Sequence, residues 1–203
     1  MKNEKKVRYI SVPFDRPAPF VKMIEERGLL DKQKDKILEI GAGNLRNALY
    51  LLSEGYKIEA FEIKETYERY KNRYEEFRKL GGTYYIDNFP STQYSVILLI
   101  FVIETILLKK KRKEILKKCK YLLTNKGRLF ICLRGLKDLS KMDLTNKKYK
   151  DGYLTSKQTF VKPFTVKDAV NLLKSSGFSS IKILNKNKKN PKYVKIITFK
   201  DWN

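Results

Sequence analysis

The stretch from Lys36 to Glu62 constrains this chain more than any other. A short apolar run, Ile37, Leu38 and Ile40, ends in Gly41-Ala42-Gly43. Leu45, Ala48, Leu49 and Leu52 then recur at helical spacing as far as Gly55, where a helix would stop. A second apolar run, Ile58 to Phe61, closes on Glu62. Strand, glycine turn, helix, strand is one βαβ unit, and such a unit commits its two strands to a parallel sheet.

The glycines restrict what the turn can do. A ligand can lie against backbone only where no Cβ intervenes, and the helix that follows turns its unpaired N–H groups toward whatever sits there. Gly41 and Gly43 form that floor. An acidic residue about twenty positions further on, at the tip of the second strand, can accept ribose hydroxyls, which is the role expected of Glu62. A nicotinamide dinucleotide would require a third glycine where the chain has Arg46, and a bulky cation there crowds the approach to a pyrophosphate. Glu39, two residues before the first glycine, fits instead a cofactor whose amino-acid end carries positive charge. A glycine pair after a strand is also compatible with a plain tight turn; the order of Glu39, helix, second strand and Glu62 argues against that reading.

Glu39-Ile40-Gly41-Ala42-Gly43 resembles the first motif of class I S-adenosylmethionine-dependent methyltransferases. Within that group, Gly43-Asn44-Leu45-Arg46-Asn47-Ala48-Leu49-Tyr50-Leu51 followed by Gly55-Tyr56 is similar to the small tellurite-resistance and thiopurine-type enzymes, which usually carry a third glycine where this chain has Leu45. The resemblance implies a doubly wound, Rossmann-like, seven-stranded and mostly parallel sheet closed by an antiparallel strand pair. It implies S-adenosylmethionine as cofactor, held by Glu39, Gly41, Gly43 and Asn44 around the bend, Glu62 at the ribose and Asp87 at the adenine amino group. A turn-forming Asp87-Asn88 pair would look the same in sequence.

At 203 residues the chain is read as a single domain with room for a real core, and 42% hydrophobic content argues against wholesale disorder. The basic start leads into no apolar signal core, and the longest apolar run, Val96 to Ile103, falls far short of a membrane span. Cys119 and Cys132 are the only cysteines and histidine is absent, which removes a disulfide framework, a zinc site and a Ser-His-Asp triad. A cytoplasmic protein without membrane or metal partner is expected. The formal charge of +23 fits a polyanionic partner, because neutralised phosphates release counterions. The cations are mostly lysine, accompanied by asparagine, isoleucine and tyrosine, a mixture that an AT-rich coding sequence or a hot habitat also produces.

Elsewhere the chain reads as follows. Residues 1–35 form a proline-punctuated segment, containing Tyr9 and Phe14, and a short helix opened by Pro19; the resemblance implies a lid over the cofactor here, and a simple cover on the sheet is the equal alternative. Glu65 to Leu80 is a helix with Tyr67, Tyr70, Tyr74 and Phe77 on one stripe, read as core-facing rather than as a stacking platform for bases. Tyr84 to Ile86 and Tyr94 to Ile103 are strands, the latter apolar on both faces as a central parallel strand must be. Glu104 leaves its carboxyl end, where ligands bind in such sheets, although it could equally cap the next helix. That helix, Ile106 to Leu123, carries eight basic residues and one acidic between Lys109 and Lys120, a solvated face or a nucleic-acid surface. A strand from Arg128 to Leu133 delivers Arg134. Residues 136–163 show no clear period and are expected to be a substrate-determining insertion. Thr165 to Asp168 reads as a capping box, and Ile181 to Leu184 with Tyr193 to Phe199 as the closing strand pair, joined by a lysine-asparagine tract.

The reading that results is a methyltransferase acting on a small molecule, with Tyr9, Glu104 and Arg134 as acceptor-site candidates and no assigned catalytic residue. The alternatives are an RNA or DNA methyltransferase, suggested by the charge, and a non-catalytic nucleic-acid-binding domain of the same fold, suggested by Leu45.

Overall fold

The computed structural model describes residues 16–139, 142, 144–185 and 191–200. Tyr9, Phe14 and residues 186–190 of the lysine-asparagine tract lie outside the described residues. In chain order the first elements are α1 (Pro19–Glu26), β1 (Lys36–Ile40), α2 (Arg46–Ser53), β2 (Lys57–Glu62), α3 (Lys64–Lys79), β3 (Thr83–Ile86) and β4 (Tyr94–Ile100). Then follow α4 (Lys109–Leu122), β5 (Leu123–Arg134), α5 (Leu136–Leu139), β6 (Leu144–Tyr149), β7 (Gly152–Thr155), β8 (Phe160–Val161), α6 (Val166–Lys174), β9 (Ile181–Ile183) and β10 (Tyr193–Phe199).

Seven strands form one sheet in the order β3-β2-β1-β4-β5-β10-β9. The pairs from β3 to β5 are parallel, and β10 runs antiparallel to both of its neighbours. The expected seven-stranded sheet with a terminal antiparallel pair is therefore present. Chain progression reverses between β1 and β4, and that crevice is where open α/β sheets bind ligands.

Alternation along the strands feeds two cores. Ile37, Val96, Leu98 and Phe130 face α1, α2 and α3, meeting Phe20, Ala48, Leu51, Tyr74 and Phe77. Leu38, Ile97, Leu99, Leu129 and Ile131 face the other way, toward Leu116, Cys119 and Leu122 of α4 and Ala169, Leu172 and Leu173 of α6. Pro19 stands in the first turn of α1, and Phe20 meets Phe130 edge-on at 6.4 Å, so this part of the N-terminal segment covers the sheet. Thr165 and Asp168 form the expected capping box of α6.

Three expectations need correction. Residues 136–163 are not structureless: the short α5 is followed by a three-stranded antiparallel sheet, β6-β7-β8. The central strand stops at Ile100, because Phe101 takes a left-handed φ of 60° and turns the chain into a single 3-10 turn, Ile103–Thr105. The basic helix begins only at Lys109, and one of its cations, Arg112, points inward and is buried.

The amino edge of the sheet is fastened by satisfied polar groups. Glu59 accepts from Tyr85 and Tyr94 and pairs with Lys36 at 3.0 Å. Arg128 places Nη2 2.6 Å from both oxygens of Asp35 and donates from Nη1 to the Leu29 carbonyl.

Candidate functional site

The carboxyl edge differs from the amino edge in two respects. It concentrates left-handed backbone: Gly41 and Gly43, which adopt it freely, and Leu45, Asp87 and Phe101, which are strained by it, all have φ between 58° and 70° at the ends of β1, β3 and β4. It also carries buried carboxylate oxygens that accept no hydrogen bond of ordinary geometry. Among the described residues, Glu39 Oε2 and both oxygens of Glu104 are buried without a hydrogen-bond partner. Strain and orphaned polar atoms each cost stability, and they collect where a ligand offsets them.

The bend is built from both strands of the βαβ unit. Gly41 and Ala42 donate to the Phe61 carbonyl, which holds the turn against the end of β2. A Cβ on Gly41 would lie 2.5 Å from Val102 Cγ2, so this position has neither the conformation nor the space for a side chain. Gly41→Ala is expected to cost about 2–4 kcal/mol from left-handed strain and overpacking, measured by chemical denaturation. A loss under 0.5 kcal/mol would contradict this account of the turn.

Glu62 arrives at the bend as the spacing required. Its Oε2 accepts from the Gly43 N–H at 2.6 Å and its Oε1 from the Ile63 N–H at 2.8 Å. Burial pushes its carboxyl pKa up, opposed by those two backbone donors. Each oxygen retains a lone pair for a further donor such as a hydroxyl. From beyond Gly43, the Tyr74 hydroxyl donates to the Gly43 carbonyl at 2.9 Å. The tyrosine stripe of α3 therefore faces inward, with Tyr67, Tyr74 and Tyr84 in mutual ring contact rather than displayed for bases.

Glu39 lies one residue before the end of β1 on the α2 side, wholly buried. Its Oε1 accepts from Asn47 Nδ2 at 2.6 Å. Desolvation is the largest influence on its carboxyl, which is pushed up to about 7 against the pull of Asn47 and Arg46. Asn44 is buried beside the bend. Leu45 occupies the third-glycine position with φ 62° and is fully buried, so the backbone keeps the shape that a glycine would give while the side chain fills core.

Asp87 sits in a left-handed turn after β3, and its Oδ1 accepts from the Lys64 N–H at 2.9 Å, closing the start of α3. It is exposed, and Phe89 just beyond it stacks on Phe61 with centroids 3.9 Å apart. Glu104 lies in the 3-10 turn rather than capping α4, whose N-cap residue is Leu108. Burial pushes its carboxyl up to about 7, although Arg134 Nε stands 3.8 Å away. Arg134 is spoken for: it pairs with Asp138 and Glu104 and lies over the Phe101 ring at 5.1 Å. The insertion is stitched onto the same place, since Lys162 N–H donates to the Glu104 carbonyl and Phe164 N–H to the Arg134 carbonyl. Beside the end of β5 and the start of α6 is a hollow of about 520 Å³, lined by Leu136, Phe164, Val166, Val170 and Pro191 among others.

Two groups of residues emerge. Glu39, Gly41, Gly43, Asn44 and Glu62 converge on one bend, with Asp87 joined to it through its N–H bond to the Glu62 carbonyl. Glu104 and Arg134 make a second cluster at the ends of β4 and β5. The sequence reading missed Asn47, the Tyr74 hydroxyl and the Phe101 turn. Asn47 alone had a signal, a polar residue on the apolar side of the motif helix.

No protein-family model matches the sequence, and none of the curated proteins matches it. Solved structures do match the fold. An S-adenosylmethionine-dependent methyltransferase from Methanosarcina mazei superposes with a TM-score of 0.65 at 20% identity, over 93% of this chain and 100% of the other. The 1,6-didemethyltoxoflavin-N1-methyltransferase of Burkholderia thailandensis, solved with 1,6-didemethyltoxoflavin and S-adenosylhomocysteine, gives 0.65 at 15% identity over 91% of this chain and 77% of that one. Human N-acetylserotonin methyltransferase, solved with S-adenosylmethionine, gives 0.62 at 17% identity, over 90% of this chain and 55% of that one. The chain has the class I methyltransferase fold.

Among the described residues no cluster of acidic and cysteine side chains could hold a metal, and no helix is long and apolar enough to cross a membrane. Cys119 and Cys132 are free buried thiols, and desolvation pushes Cys119 up to about 12.

Proposed function

We propose that this protein transfers a methyl group from S-adenosylmethionine to a small-molecule acceptor. The observation that carries the reading is the meeting of Glu62 with the Gly43 N–H at 2.6 Å while Glu39, behind the same bend, keeps one buried oxygen unpartnered. A buried carboxylate oxygen lacking a donor is a poor structural element and a good acceptor for an ammonium. The donor set therefore fits the cofactor: Glu39 for the amino-acid end, Gly41, Gly43 and Asn44 for the floor, Glu62 for the ribose and Asp87 for the adenine. Within that class, the resemblance of Gly43 to Leu51 to the tellurite-resistance and thiopurine-type enzymes is the finer reading proposed for this chain.

When bound, the cofactor supplies a methyl made electrophilic by its sulfonium. The chain's own residues then have to hold acceptor and methyl in line and keep water out. Glu104 and Arg134, with the insertion hydrogen-bonded to their carbonyls, are the acceptor-side candidates. Two proteins of this fold, the 1,6-didemethyltoxoflavin-N1-methyltransferase and N-acetylserotonin methyltransferase, are named for small-molecule substrates, and the α3 stripe offers no stacking surface, so a small acceptor is favoured over nucleic acid.

Calorimetry with S-adenosylhomocysteine tests the cofactor. Binding tighter than about 1 mM is expected for the wild type. Glu62→Ala is expected to weaken it at least tenfold, the loss of charge-assisted hydrogen bonds. No heat of binding at millimolar ligand would remove the reading. The acceptor class is then read by incubating protein and radiolabelled S-adenosylmethionine with a cell extract split into small-molecule, RNA, DNA and protein fractions; label in a macromolecular fraction would overturn the small-molecule assignment.

A further inference from the structure

Asn47 makes two buried hydrogen bonds whose directions are unusually informative. Its Oδ1 accepts from the Ala18 N–H at 2.7 Å, the residue that opens α1. Its Nδ2 donates to Glu39 Oε1 at 2.6 Å. The first bond fixes which end of the amide is oxygen, so the second cannot be reversed, and Glu39 must present a carboxylate oxygen to Asn47. The side chain is itself 4% exposed, in a helix whose neighbouring inward residues are Ala48 and Leu51.

The arrangement costs stability that a merely structural element would avoid. An acidic group two residues before the bend is buried outright, one oxygen bonded to Asn47 and the other accepting no hydrogen bond of ordinary geometry. Replacing both partners by apolar groups of similar shape would remove the unsatisfied acceptor, at the cost only of the Ala18 N–H bond. Arg46 and Glu62 are the charged groups that bear on Glu39, and they act in opposite senses.

We infer that Asn47 is the positioning residue of the cofactor site, holding Glu39 by Oε1 so that Oε2 is left for the ammonium of the cofactor's amino-acid end, and held in turn by the backbone that opens α1. This rests on the methyltransferase reading. Asn47 touches Glu39 and not the ligand, so its influence is confined to ligands that carry the amino-acid end.

Two ligands separate that influence from general damage. S-adenosylhomocysteine carries the amino-acid end, and 5′-methylthioadenosine has the same thioether nucleoside without it. Asn47→Leu removes both bonds; Asn47→Asp keeps the acceptor for Ala18 and removes the donor to Glu39. By calorimetry both variants are expected to lose about tenfold or more for S-adenosylhomocysteine and less than about twofold for 5′-methylthioadenosine. Equal losses for both ligands, or none for either, would overturn the inference. On the wild type, the Asn47 side-chain amide resonances are expected to shift with S-adenosylhomocysteine and stay in place with 5′-methylthioadenosine, a measurement that needs no variant to fold; identical shifts with both would overturn it. Failure of the wild type to bind S-adenosylhomocysteine defeats the cofactor reading itself. Loss of binding in Glu39→Gln with unchanged Asn47 variants defeats only the inference.

Discussion

Arg112→Ala is expected to lower the unfolding free energy by about 2–4 kcal/mol, the cost of two carbonyls left without donors and of the void left by a buried side chain. Arg112 is 1% exposed. It donates from Nη1 and Nη2 to the two oxygens of Asp151 at 2.5 and 2.8 Å, from Nε to the Ile106 carbonyl at 2.6 Å and from Nη2 to the Leu107 carbonyl at 3.1 Å. Its guanidinium also lies 5.5 Å from the Phe160 ring centroid. One side chain thus ties the turn between β6 and β7, the start of α4 and the strand β8 to the segment that follows Glu104. Truncation strands two carbonyls and leaves a void, whereas Asp151, 41% exposed by its side chain, retains water and Lys162 as partners. Arg112→Met, which refills the volume, is expected to recover part of the loss but not the carbonyl bonds. For a chain of this size the alanine variant should melt about 10 °C lower. Hydrogen exchange should quicken first in β6, β7 and residues 106–108, since these lose their tether while the seven-stranded sheet keeps its own. A midpoint within 0.5 kcal/mol of wild type, or uniform quickening across the sheet, would refute the latch.

That latch marks where sequence reasoning stopped. Arg112 is one of eight cations in the run from Lys109 to Lys120, and nothing local distinguishes it from its solvated neighbours. It turns inward because Asp151, 39 positions later, meets it, and helical periodicity carries no information about a partner so distant. The small sheet was missed for a different reason. Its first turn is Lys150-Asp151 with Gly152 already paired in β7, so the Asp-Gly pair is out of register with the hairpin signal, and the left-handed position, Lys150 at φ 53°, is not a glycine. In contrast, Lys36 to Glu62 was legible because every level agreed: apolar period, glycines at two positive-φ positions, and an acid at the expected distance. Of the other left-handed residues at this edge, Leu45, Asp87 and Phe101 are not glycine, so composition alone could not reveal them. Tertiary contacts impose that backbone: Leu45 is fully buried, Asp87 bonds to Glu62 and Lys64, and Phe101 is held by the Cys132 carbonyl, Tyr193 and Arg134.

The two buried carboxylates predict an unusual dependence of stability on pH. Glu39 and Glu104 have carboxyl groups raised from 4.5 to about 7 by burial. A carboxyl whose folded pKa lies above its unfolded value binds more protons folded than unfolded between those values, so its contribution is fully present below about pH 4.5 and is lost as pH rises to about 7. Each group is expected to remove roughly 3 kcal/mol across that window. Glu62 is raised as well and adds to the same slope, while the lowered groups, Asp31 and Asp151, already contribute in full above the ordinary carboxylate range and leave it unchanged. The ligand-free protein should therefore melt progressively lower from pH 5 to pH 7.5. Glu104→Gln, which keeps the shape and abolishes the titration, should flatten that fall by several degrees and be more stable than wild type at the upper end; curves parallel to wild type would show that Glu104 is not the group responsible. Glu39 gives the sharper test, because a cationic ligand reverses its sign. An ammonium beside Oε2 favours the ionised form, so S-adenosylhomocysteine should release a proton from Glu39 on binding near pH 6, stabilise the protein more at pH 7.5 than at pH 5.5, and leave the part of the slope due to Glu104 intact. In Glu39→Gln both the proton release, read from calorimetry in buffers of different ionisation enthalpy, and the pH-dependent gain should vanish together. If the release persists in that variant, the proton comes from elsewhere and the unpartnered oxygen of Glu39 is not where the charge of the ligand is met.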